Sequence, residues 1–254
     1  MNPAANDLAR PATVRLPSYR AAIVMNLVAV ACWAVAPTFV KVINRSFPVN
    51  FQNFWRYLVS LAVLWPAYLL TADRSHVRAD LAEIRRLAGK ILVIALVQFA
   101  FQFTYTFSLT LIYPGLMTLV QQSSAIFGAL LAVAFFPDER RVVRDRMFLT
   151  GAVFAVSGAL LVVLGGGSWG SAEFNVGVIA ALAGALAWAL LGTLIKRWVP
   201  HVPPLLSISS VFTILVPLFL ASYAVANRGL PVPAAPPIDW VLMIVSGLLG
   251  VGIG

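Results

Sequence analysis

Apolar residues fall along this chain in long blocks, with polar residues gathered between them. A helix that crosses a bilayer needs about 20 mostly apolar residues. Eight stretches reach or approach that length: 21–43, 53–71, 90–109, 113–136, 147–165, 175–195, 204–226 and 239–254. The connections carry the punctuation of loops. Asp73 to Arg86 and Pro137 to Arg146 are charged, Gly165 to Gly170 is glycine-rich, and Gly229 to Pro237 is proline-rich. The pattern predicts an all-α polytopic membrane protein with about eight transmembrane helices. Composition agrees, since 61% of the 254 residues are hydrophobic and 11% charged. A soluble domain runs nearer half apolar and a quarter charged, and a disordered chain needs low hydrophobicity, so both are excluded.

The net charge of +9 would point to nucleic acid in a soluble protein. Its distribution gives it another meaning. Lys and Arg are retained on the cytoplasmic side of membrane proteins. With the N-terminus inside, the inner segments hold fourteen of the eighteen Lys and Arg residues, leaving Lys41, Arg45, Arg56 and Arg228 outside or at outer helix ends. The expectation is a multi-pass protein of the inner (plasma) membrane, with a cytoplasmic N-terminal tail over residues 1–20. Its partners are then the lipid bilayer and a small-molecule substrate, with no nucleic acid; a homodimer is compatible with such a chain. Arg20 and the apolar run to Ala36 imitate a signal peptide. Pro37, however, sits just after the cut site and the run continues to Val42, which argues against cleavage. The single cysteine, Cys32, forms no internal disulfide.

An internal repeat is the most specific signal. Trp33-Ala34 is followed by Thr38 and Lys41, and Trp188-Ala189 by Thr193 and Lys196, so W-A-x-x-x-T-x-x-K recurs at an offset of 155 residues. Five predicted spans separate the copies. An odd number makes the second copy run the opposite way through the membrane, the inverted arrangement of secondary transporters.

On these residues the chain resembles the drug/metabolite transporter superfamily, in its EamA branch. Further residues that carry the resemblance are Arg56 in Phe54-Trp55-Arg56-Tyr57, the stretch from Tyr113-Pro114 through Phe135, the turn Asp138-Glu139-Arg140, and small residues from Gly151 to Gly158. The resemblance implies a ten-helix fold built of two inverted five-helix repeats. Residues 21–165 correspond to the first repeat. Residues 175–254 correspond to about three helices of the second, so two helices of that template lie beyond Gly254.

Titratable residues inside a membrane are functional candidates by default. Here the nine carboxylates and both histidines fall in loops or at span ends. No catalytic residue, metal site or cofactor is expected, because a general base and metal ligands are missing from the spans. A carboxylate proton relay has no support either. Uncharged polarity remains. Gln98, Gln102 and Tyr105 share one helical face, where they line a wet cavity or bond neighbouring helices. Gln121 and Ser124 form a second pair in the run Gln121-Gln122-Ser123-Ser124, which is expensive in lipid unless part of it faces a pathway. Trp33 and Trp188 lie deep in their spans, away from the interfaces where tryptophan anchors. They form an aromatic cavity wall or pack the repeats together. Arg56 either attracts an anionic substrate group or snorkels to the outer interface, and its shallow depth favours snorkelling. The substrate-cavity candidates are thus Trp33, Arg56, Gln98, Gln102, Tyr105, Gln121, Ser124 and Trp188.

The resemblance implies a secondary transporter of small polar metabolites such as amino acids, exporting or exchanging them by alternating access. The rival expectation is a truncated, non-transporting membrane protein with a scaffold role or no activity.

Overall fold

A computed structural model describes residues 19–73, 75–140, 145–165 and 172–253. The described residues are 86% helical, with no strand among them. The helices are α1 (Tyr19–Ile43), α2 (Val49–Thr71), α3 (Val77–Arg86), α4 (Ala88–Leu111), α5 (Pro114–Gln121), α6 (Ser123–Phe135), α7 (Arg146–Gly165), α8 (Ala172–Trp198), α9 (Pro204–Asn227) and α10 (Pro237–Gly247). Among the described residues, six segments are long and apolar enough to cross a membrane: α1, α2, α4, α5 with α6 (Pro114–Phe135), α8 from Phe174, and α9. The protein is an all-α, multi-pass membrane protein, and a helix stands at each of the eight predicted spans.

The structure departs from the sequence reading in three places. The stretch Asp73 to Arg86, expected to be loop throughout, contains α3. It is an amphipathic helix with Asp80 in its first turn and Arg85 and Arg86 in its last, as the helix dipole favours. The fourth span is two helices that meet at Gln122, within its run of four polar residues. The last span is α10 followed by a π-helical segment, Leu248–Ile253. Pro37, Pro66 and Pro217 sit inside α1, α2 and α9, which continue through them.

The loop ends sort into two sets, as antiparallel neighbours require. At one end Lys41 reaches α4's last carbonyls, Ser46 bonds Asp239, and Asn50 donates to Ser222 Oγ at 2.8 Å. At the other, Tyr68 donates to Asp80 at 2.9 Å, while Lys196 and Arg197 lie over the Phe136 and Phe135 rings.

Helices in lipid gain little from hydrophobic association and depend on close packing. Helix α8 packs on α4 along a row of small residues. Ala181, Ala185 and Ala189 are buried, and a Cβ on Gly177 would lie 2.6 Å from Ile112 Cγ2. The similar row in α7 behaves differently, since a Cβ on Gly151 would meet nothing within 4 Å. Ala155 and Ala159 of that row lie outside the described side chains. A central cluster joins α2, α4, α8 and α9 through Tyr57, Ile94, Leu191 and Phe219. Rings of Phe47, Phe51, Trp55 and Trp240 pack together at one end, the level at which a membrane protein carries its aromatic belt.

Candidate functional site

Most of the eight candidate residues fall near one of two environments, a buried network and an open groove. Gln98 and Gln102 stand one turn apart on α4 and face α2, where Asn53 and Tyr57 stand at the same spacing. Gln98 Nε2 donates to Tyr57 Oη at 2.7 Å, and Tyr57 Oη donates to Gln102 Oε1 at 3.2 Å. Gln102 Nε2 in turn donates to Asn53 Oδ1 at 3.3 Å and Thr106 Oγ1 at 3.2 Å. Thr106 Oγ1 donates to the same Asn53 oxygen at 3.0 Å. All five side chains are buried. A buried amide left without partners costs several kcal/mol in hydrocarbon, and here the two helices satisfy each other. Of the two readings of this stripe, bonding between helices describes Gln98 and Gln102. Tyr105 is half-buried instead, with its ring 5.7 Å from that of Phe101.

The second environment is an open groove of about 350 Å³ between α6 and α8. Helix α6 presents Ser124, Ala125, Gly128, Ala132 and Phe136, a row at helical spacing. Helix α8 presents Trp188, Ala189, Gly192, Thr193 and Lys196. A Cβ on Gly128 or Gly192 would meet nothing within 4 Å, so the groove's width comes from side chains that are absent. Ser124 and Trp188 are the predicted residues that line it. Gln121 lies just above, its Oε1 buried without a partner and 3.9 Å from where a Gly184 Cβ would be.

At the head of the groove the two copies of the repeated motif meet. The rings of Trp33 and Trp188 contact edge to face, with centroids 6.0 Å apart, and Trp188 also lies 4.9 Å from Phe101. Both indoles stay partly open, at 45% and 37% exposure. The contact joins the two copies of the motif, and both rings keep exposed surface. From it the motif copies run to opposite ends of the bundle. Lys41 donates to Thr110 O and Ile112 O, both at 3.2 Å, which neutralises carbonyls at the negative end of α4. Lys196 lies 4.7 Å from the Phe136 ring at the other end.

Arg56 corrects the sequence reading. Snorkelling was favoured on a span starting near residue 53, but α2 begins at Val49 and Arg56 is 2% exposed. Helix α10 closes over it. A Cβ on Gly247 would lie 2.9 Å from the Arg56 carbonyl oxygen, and Ser60 Oγ bonds both Arg56 O and Gly247 O. The side chain cannot reach the interface past that crossing.

Sequence reasoning missed Asn53, Tyr57 and Thr106 in the network, and Gly128, Gly192 and Thr193 in the groove. The i, i+4 spacing that marked Gln98 and Gln102 also holds for Asn53 and Tyr57, and would have found them. The groove glycines carry no such mark, because a glycine at an open face and one at a tight crossing read alike.

Comparison with known proteins agrees with this architecture. No curated protein matches the chain. A solved crystal structure matches with a TM-score of 0.67 at 21% sequence identity, covering 93% of this chain and 77% of its own. At that identity the likeness is one of fold. The model of the EamA-like transporter family matches residues 20–164, the stretch in which the first repeat was recognised. The chain belongs to the EamA-like transporter family, and is a membrane transporter of the drug/metabolite type.

Proposed function

We propose that the protein is a secondary transporter that exports or exchanges small polar metabolites, amino acids among them, by alternating access across the cytoplasmic membrane. The observation that carries this reading is the Trp33–Trp188 contact at the head of the α6–α8 groove. Two oppositely running copies of one motif meet there. Inverted-repeat transporters bind substrate near the midplane, where their halves adjoin. Trp188 lies ten residues before Trp198, the end of α8, or about 15 Å at 1.5 Å per residue. That is about half of a 30 Å hydrocarbon core.

The positive-inside pattern supports an orientation with Lys196, Arg197 and the N-terminus on the cytoplasmic side. The groove is then a vestibule open toward the cytoplasm, with the tryptophan pair as its inner gate. Rocking one half against the other separates the indoles and opens the far side. Such pockets are mostly apolar with a few placed polar groups, as Ser124, Thr193 and Lys196 are placed among Ala, Gly and Trp here. Counterflow in proteoliposomes across a panel of labelled amino acids and other small metabolites tests the reading. Saturable flux that falls in Trp188→Ala is expected. A broad panel without flux above protein-free vesicles contradicts it.

A further inference from the structure

Arg56 is a buried cation without a counter-ion among the described residues. It is the eighth residue of α2, about 10 Å in from the helix start at 1.5 Å per residue. Its guanidinium carries five N–H donors and no acceptor, and stays charged. Its hydrogen bond runs from Nη1 to Asn53 Oδ1 at 3.5 Å, and that oxygen already accepts from Gln102 and Thr106. Its Nε is buried without any partner. The ion pairs among the described residues, His76 with Asp73 and Arg86 with Glu83, lie outside the membrane helices. A charge at this depth is costly and is retained where it pairs or serves a pathway.

Its surroundings lie close to Trp33 along α1. A Cβ on Gly250 would lie 3.5 Å from Arg56 Nη2 and 3.0 Å from the Cβ of Ala36, one turn beyond Trp33 on α1. The Tyr105 ring contacts Phe101, which contacts Trp188. Gly250 and Ala36 are small, and this lets their two segments pack closely beside the guanidinium. The position matching Arg56 at the repeat offset of 155 is Val211, which is apolar and buried. One half of the molecule carries this cation and the other does not.

We propose that Arg56 is the anion anchor of the transport site, receiving a carboxylate of the solute behind the tryptophan gate, so that the substrates are carboxylate-bearing metabolites. This deepens the transport reading and rests on it. The guanidinium fork matches a carboxylate with two parallel hydrogen bonds. The solute's charge then replaces the missing counter-ion, and the occupied site is favoured over the empty one.

The test separates binding from transport. The full chain in detergent is heated with succinate, pyruvate or alanine, and in parallel with alanine methyl ester, glycerol or sodium chloride. At about a hundredfold excess over Kd, a bound carboxylate raises the unfolding midpoint by about 5 °C. The ester, glycerol and chloride leave it unchanged. Arg56→Gln keeps or raises the midpoint without solute, since an unpaired buried charge is gone, and loses the carboxylate response. Arg56→Lys keeps the charge without the fork, and its response is weakened about tenfold in Kd. No shift in the wild type, an equal shift in Arg56→Gln, or an equal shift with chloride overturns the assignment. Counterflow of the same solutes reads the other claim. A carboxylate shift lost in Arg56→Gln, with no flux from the wild type, keeps the anion site and sinks transport. Flux of glycerol with no carboxylate shift does the reverse.

Discussion

The α2–α4 face and the α6–α8 groove both carry polar residues that the sequence places inside the membrane, and they use them in opposite ways. Between α2 and α4 five polar side chains bond one another and are buried. Between α6 and α8 the walls are mostly small residues, and the space is open. Polarity in a membrane helix therefore does not by itself mark a pathway. A polar group in lipid has to be satisfied, and a facing helix does that as well as a cavity. Openness comes from what is missing, here the side chains of Gly128 and Gly192.

Four substitutions sharpen the contrast. The largest effect is expected for Trp188→Ala, which removes contacts to Trp33 and Phe101. Each such contact contributes about 0.5–1.5 kcal/mol. Both unfolding resistance and counterflow fall, because this ring belongs to the packing and to the gate. Gly192→Leu comes next and splits the two readouts. Its side chain enters open space, so stability holds while flux drops roughly tenfold, the equivalent of about 1.4 kcal/mol.

Gln102→Leu shows the reverse split. It removes the hydrogen bonds to Tyr57, Asn53 and Thr106 and destabilises by about 1 kcal/mol, the scale of interhelical hydrogen bonds in membranes. The KM of whatever solute is carried stays within twofold of wild type when the folded fraction is accounted for. Ser124→Ala is the smallest, shifting stability by less than about 0.5 kcal/mol, as exposed substitutions do. Thermal unfolding in detergent and counterflow in proteoliposomes, measured on the same preparations, check all four.

The helices were legible because each span states its own length and apolarity, and the inverted repeat because two Trp–Lys pairs recur at one offset. The opposed directions of those copies are visible in Lys41 and Lys196 at opposite ends of the bundle. Pairing between helices was not legible. Gln102 reads the same whether it faces water or Asn53, since its partner lies 49 residues away. Arg56 was misplaced because its burial depends on the crossing at Gly247, nearly two hundred residues further on, where a backbone approach replaces any side-chain signal. Helix α3 was hidden because a charged ten-residue segment carries amphipathic spacing without the length that marks a span.

Cysteine accessibility tests the central contrast most directly. With Cys32 replaced by alanine, a single cysteine is placed either at Gly192 or at Gln102, and sealed vesicles of each orientation are treated with a membrane-impermeant maleimide. The account predicts that Gly192→Cys is labelled from the cytoplasmic face and that Gln102→Cys is labelled from neither. Labelling at position 102 with protection at position 192 would contradict it, and would move the pathway to the α2–α4 face.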